Sequence, residues 1–224
     1  MAVRIVTMAE LATRDPTPVT VEPGGLKGLL GVPDGALGLV IFAHGSGSGR
    51  LSPRNNHVAL GLRQAGLATL LIDLLTPLEE ADRANVFDIG LLASRLAGAA
   101  DWARRMPDLA SLPIGYFGAS TGAGAALLAA SRPEDRARAI VSRGGRPDLA
   151  GAAALARVRA PTMLIVGSRD VQVIELNRIA ARHLRAETET VIVPGATHLF
   201  EEPGTLDQVI AHAARWFLRH LGEV

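Results

Sequence analysis

The stretch "IGYFGASTGAGAAL", residues 114–127, changes character at its centre. Its first half is a short, β-prone apolar run, whereas its second half is rich in alanine and leucine at helical spacing. Between them Ser120 has one glycine two residues before it, Gly118, and another two residues after it, Gly122. A buried strand turning tightly into a helix is the unit from which alternating α/β sheets are built. The serine itself reads in two ways. It is either an N-cap for a helix starting near Thr121, or a nucleophile held on a strained turn where glycines admit neighbouring backbone.

Working outward, the same alternation recurs. Further strands are expected at residues 37–43, 68–74, 138–143, 162–167 and 190–194. Their apolar residues are continuous rather than alternating, as in parallel strands covered on both faces. Helices are expected at 53–65, 85–106, 121–131, 174–184 and 205–220, each long enough for a right-handed crossover. Before residue 37, "TPVTVEPGGLKGLLGVPDGA" reads as two strands joined by a Gly24-Gly25 turn, an antiparallel edge hairpin. The fold class is therefore α/β, expected as one domain over residues 1–224.

Composition narrows the chemistry. With 23 basic and 22 acidic residues the net charge is +1, so no overall basic character points to nucleic acid or a membrane surface. There is no cysteine, which removes disulfides, thiolate metal sites and a thiol nucleophile together. No histidine spacing resembles a metal site, and neither metal nor cofactor is implied. The opening "MAVRIVTMAELATRDPTP" has no sustained apolar signal region, and nothing approaches a membrane span; a soluble cytoplasmic protein is the expectation.

In an open parallel sheet, functional groups gather beyond the carboxyl ends of the strands. Four such positions carry suggestive residues. "FAHGSGSGR", residues 42–50, is a glycine-rich loop with backbone N–H groups to offer an anion, and His44 within it is expected to order the loop. Ser120 follows the next motif-bearing strand, and the N–H of Thr121 at the helix start would face a developing oxyanion. Asp170 in "LIVGSRD" and His198 in "VIVPGATHLFEEPG" follow two further strands. A serine hydroxyl needs a base, imidazole suits that task near neutral pH, and a carboxylate would fix the imidazole tautomer. Each residue also has a plain reading: Asp170 as a helix cap, His198 as a solvated loop residue. His57, His183, His212 and His220 fall in predicted helices, where surface histidine is the default.

Taken in order, "HGSGSGRLSPRN", "GYFGASTGAGAAL", "VGSRD" and "VPGATHLFEEPGTL" resemble the α/β-hydrolase fold and, more narrowly, the dienelactone-hydrolase-like group. The resemblance covers most of the chain and implies a mostly parallel eight-stranded sheet with helices on both faces. It also implies Ser120 as nucleophile, Asp170 orienting His198, and an oxyanion hole from the Thr121 N–H and a loop N–H, assigned to Ser46 with Gly45 and Gly47 beside it. Dienelactone hydrolases themselves use a cysteine nucleophile, which this chain lacks. What carries over is a serine hydrolase of small carboxylic esters, including lactones or acidic esters. A thioesterase, amidase or acyltransferase would use the same triad, and a non-catalytic ligand-binding module on this scaffold belongs to another class. The segment from Gly144 to Ala160 is too short for a large cap, so an open cleft is expected. Arg143 and Arg146 follow a strand and could hold a substrate carboxylate; salt bridges to Asp148, Glu201 or Glu202 are the alternative, and Arg50 and Arg54 are weaker candidates. The expected partner is a small-molecule ester, with the chain a monomer or homodimer.

Overall fold

The computed structural model describes residues 15–222; the opening stretch searched for a signal region lies largely outside the described residues. Eight strands form one sheet: β1 (Thr17–Val21), β2 (Leu26–Gly31), β3 (Leu39–Ala43), β4 (Ala68–Ile72), β5 (Ile114–Ala119), β6 (Ala139–Arg143), β7 (Thr162–Gly167) and β8 (Thr188–Val193). Their spatial order is β1-β2-β4-β3-β5-β6-β7-β8. Only β2 runs against its neighbours, pairing antiparallel with both β1 and β4. The expected hairpin is present, with Val21 opposite Leu26 and Thr17 opposite Leu30.

Every residue of β3, β4, β5, β6 and β7 is buried, which explains their unbroken apolar runs. The helices are α1 (Pro53–Gln64), α2 (Pro77–Glu80), α3 (Arg83–Val86), α4 (Ile89–Arg105), α5 (Thr121–Ala130), α6 (Ala152–Leu155), α7 (Val171–Ala181) and α8 (Thr205–Leu221), with a 3-10 turn at Pro147–Ala150. Alternate sheet residues feed two cores. Leu39, Ile41 and Ala43 pack with Leu92, Leu96 and Ala180 of α4 and α7. Val40 and Phe42 pack with Val58, Leu62, Trp216 and Phe217 of α1 and α8. Burial of this kind contributes about 25 cal/mol per Å² of apolar surface, so covering both sheet faces is what makes these strands stable in the centre of the molecule.

Two expectations need correction. Residues 85–106 do not form one helix: α3 ends at Val86, and Asp88 caps a separate α4 by accepting from Leu91 N. His220 does not stand out from the surface but stacks edge-on against Trp216, their ring centroids 4.4 Å apart. The link between β6 and β7 holds only the 3-10 turn and the four-residue α6, so among the described residues no large cap is inserted there. Among the described residues no helix is long and apolar enough to cross a membrane.

Candidate active site

The strand-to-helix turn after β5 is strained at one residue. Ser120 has φ 50° and ψ −123°, a conformation that costs a non-glycine residue on the order of 1–3 kcal/mol. Although it occupies the N-cap position of α5, its hydroxyl makes no capping bond. The plain N-cap reading of the serine is thus not what the structure contains. The flanking glycines serve close approach: a Cβ on Gly122 would sit 2.1 Å from Ala43 O, and one on Gly118 would sit 2.5 Å from Ala123 Cα. Gly45 lies against the serine from the β3 side, its Cβ position 2.9 Å from Ser120 Cβ.

The glycine loop is ordered largely by two side chains. His44 donates through Nδ1 to Gly45 O at 2.9 Å and accepts at Nε2 from Leu74 N at 3.0 Å, which fixes a neutral tautomer and engages both ring nitrogens. Ser46 N donates to Thr121 Oγ1 at 3.1 Å. This corrects one expectation: the Ser46 amide is directed to the Thr121 side chain rather than left free for an oxyanion. The N–H groups of Thr121, Gly45 and Gly47 have no protein acceptor among the described residues. That of Thr121 opens α5, where the helix dipole favours negative charge.

On the far side of the serine, two loops are stitched together. Ser168 N donates to Val193 O at 2.9 Å, Arg169 N to Ala196 O at 2.9 Å and Gly195 N to Ser168 Oγ at 2.8 Å. These bonds bring the residue after β7 to the loop after β8. Asp170 Oδ2 accepts from His198 Nδ1 at 2.6 Å, with the aspartate side chain 14% and the histidine side chain 38% exposed. Asp170 stands at the N-cap of α7 yet makes no capping bond. Its carboxylate is spent on the histidine, so its plain reading as a helix cap also fails. Phe200, at φ 56°, bends the loop so that its ring is buried just beyond His198. Hydrogen bonds from the Thr197 side chain and amide hold the Glu202 carboxyl below the usual range.

The turn after β6 links the serine to the histidine loop. Ser120 N donates to Arg143 O at 3.4 Å and Arg146 N donates to Ser120 O at 3.0 Å, while Gly144 lies against His198, its Cβ position 3.6 Å from Nδ1. Ser120 Oγ and His198 Nε2 are not hydrogen-bonded to each other, and neither has another protein partner among the described residues. Hydrogen bonds of this kind often tighten only when substrate is present.

The four arginines expected near the cleft are engaged or enclosed. Arg50 pairs with Asp73, Arg54 with Glu201 and Arg146 with Asp148. Arg143 is only 8% exposed and donates to Asn55 Oδ1 at 3.3 Å; its Nε and Nη1 are buried without partners, and none of the expected carboxylates reaches it. Burial, followed by the nearby Arg54 charge, pushes its pKa down to about 10. A depression of about 180 Å³ borders the glycine loop, lined by His44, Gly49, Arg50, Asp73 and Glu80 among others. Larger depressions, of about 510 and 600 Å³, lie at the opposite ends of the strands, beside Arg138 and Ile114 or beside Val32 and Trp102, away from these residues. Among the described residues no group of three or more His, Cys, Asp or Glu side chains is arranged to hold a metal ion. Asn177 of α7 went unnoticed in the sequence; fully buried, it donates to Gly145 O at 2.9 Å and so anchors the β6 turn, a role that a lone asparagine in a helix does not announce.

This sheet order and these strand-end loops define an α/β-hydrolase. The chain is 56% identical to a dienelactone hydrolase from Anabaena variabilis of known structure, covering 92% of this chain and 97% of that one with a TM-score of 0.87. It belongs to the dienelactone-hydrolase-like family. Est1E from Butyrivibrio proteoclasticus shares the fold at 16% identity, with a TM-score of 0.78 over 94% of this chain and 100% of that one. Two Mycobacterium tuberculosis proteins with provisional phosphoribosyl transferase names are 60% identical over 203 residues, 91% of this chain but 46% of their own length. This chain therefore spans under half of those relatives. Comparison with protein-family models returns no match.

Proposed function

We propose that the protein is a serine hydrolase of small carboxylic esters, acting through an acyl-enzyme on Ser120. The observation that carries this reading is the Asp170–His198 hydrogen bond, 2.6 Å long, beside a serine whose backbone is strained and whose hydroxyl caps nothing. His198 Nε2 takes the hydroxyl proton as Oγ bonds to the carbonyl carbon. The oxyanion so formed is received by the Thr121 N–H and a second donor from the Gly45–Gly47 loop. Collapse breaks the ester C–O bond, and His198 returns the proton to the leaving alcohol. Water, deprotonated by the same imidazole, then attacks the acyl-enzyme and releases the acid. Asp170 keeps the Nδ1–H tautomer in place and offsets the imidazolium charge.

The phosphoribosyl transferase name stays with the M. tuberculosis proteins, which are more than twice the matched length. Reaction with a fluorophosphonate tests the ester-hydrolase reading. One adduct on Ser120, none on Ser120→Ala, and a fall of at least about 10³-fold in nitrophenyl acetate turnover for that variant are expected. An unlabelled native protein, or a Ser120→Ala variant that keeps its activity, would overturn it.

A further inference from the structure

Eight large apolar side chains stand exposed among the described residues, and five of them, Leu51, Leu78, Phe87, Val171 and Leu199, lie in segments that follow the carboxyl ends of strands. Single exposed apolar residues are unremarkable, but their concentration at one edge of a sheet is not. Val171 directly follows Asp170, and Leu199 directly follows His198, so both stand at the loops that the Asp170–His198 bond joins. Leu51 ends the glycine loop, and Leu78 and Phe87 belong to the helical segment after β4. With strands in the order β4-β3-β5-β6-β7-β8, one apolar group lies on the β4 and β3 side of Ser120 and the other on the β7 and β8 side.

Charge points the same way. Arg50, Arg54 and Arg146 are each neutralised by a carboxylate, and Arg143 is enclosed, so none of these four presents an open guanidinium to a ligand. At these four positions a substrate carboxylate would have to displace an existing ion pair or enter a closed space, whereas Arg83, exposed beside Phe87, lies over that ring with its guanidinium carbon 5.7 Å from the centroid.

On the serine-hydrolase reading, we infer that the substrate is a neutral ester carrying apolar groups on both sides of the scissile bond, which rest on the two halves of this collar. An open collar covers each methylene only in part, so affinity rises by about twofold per carbon until the chain passes the rim. A second copy of the chain seated on the same residues would instead cover Ser120.

Nitrophenyl acetate, butyrate and hexanoate, with nitrophenyl hemiglutarate as the anionic counterpart, read this out. From acetate to hexanoate, four added carbons, kcat/KM should rise about 16-fold, mostly through KM, and the hemiglutarate should be at least about tenfold poorer than the hexanoate. The paired variants Val171→Ser/Leu199→Ser and Leu51→Ser/Leu78→Ser lie at exposed positions, and at least one pair should flatten the chain-length series, lowering kcat/KM for the hexanoate several-fold more than for the acetate. Equal or better use of the hemiglutarate, or a series unchanged in both variants, would overturn the inference. So would sedimentation showing a dimer that these variants dissociate. Calorimetric binding of the same esters to Ser120→Ala reads the collar without turnover. If that variant still cleaves them, the serine reading fails, while the order of KM values continues to report on the collar.

Discussion

The Arg143 guanidinium has given up water for one hydrogen bond, to Asn55 Oδ1, and for the face of Phe200, 6.0 Å from ring centroid to guanidinium carbon. A buried charge without a counter-ion costs several kcal/mol even after relaxation, and this cost is visible as the depressed pKa of about 10. Arg143→Met keeps an unbranched apolar stem, though a shorter one, and removes the charge. It should be no less stable than the parent, and by chemical denaturation near neutral pH more stable by about 1–3 kcal/mol. The sign with pH follows from a folded-state value lowered below the unfolded one. The penalty is fully present while both states are protonated, and it is relieved as pH rises through about 10, so the advantage of methionine should shrink there. A variant that is clearly less stable at neutral pH would instead mark the guanidinium as a brace between α1 and the histidine loop. Sequence alone placed Arg143 near the site but could not tell an open fork from an enclosed one, because that depends on Asn55 and Phe200, which come from other parts of the chain.

At the level of elements, the legible segments were those whose signal is a long apolar run. β5, its turn and α5 were read within a residue of their bounds, and β7 was read at Thr162–Gly167 as observed. β8 starts two residues earlier than its apolar run because it is a half-exposed edge strand, with Thr188 and Glu189 paired to β7. Residues 85–106 read as one helix because helical periodicity runs through them, and the short helix before them went unread, while the breaks in the segment after β4 are local. Asp88 starts α4, and a reciprocal capping box starts α2, Thr76 Oγ1 accepting from Glu79 N while the Glu79 carboxylate accepts from Thr76 N at 2.8 Å. The bond from the Thr76 amide is the main reason that the Glu79 carboxyl lies below its ordinary range, with Arg95 adding to it. A carboxyl whose folded pKa is lowered stabilises the protein above its unfolded value and loses that contribution as pH falls through the folded one. Glu79→Gln should therefore cost about 0.5–1 kcal/mol near neutral pH and close to nothing in acid, read from urea midpoints at both ends. An equal loss at both pH values would mean that packing, not charge, sets its contribution.

At the scale of the whole molecule, the candidate site belongs to no single element. Its groups hang from the ends of β3, β5, β7 and β8, and the sheet sets how far apart those ends lie. The sequence supplied each strand-end residue but not the bonds between loops, since the backbone contacts joining residues 167–169 to residues 193–196 carry no side-chain signature. Gly167 stands where that junction is tightest. A Cβ there would lie 2.4 Å from Ala196 O and 2.7 Å from Thr197 O, both backbone atoms that cannot rotate away. Gly167→Ala must therefore push the histidine loop off the end of β7, lengthening the Asp170–His198 contact, while the two cores on either side of the sheet keep their packing. A displacement of this order is enough to cost about tenfold or more in kcat with a smaller change in KM, because it disturbs the orientation of the base rather than the apolar surface that receives substrate. Far-ultraviolet dichroism should be unchanged, and the loss of stability should stay within about 1–3 kcal/mol. If kcat survives with the fold intact, the histidine loop is able to follow the strand end, and the pairing of Asp170 with His198 does not depend on the close fit of β7 against it.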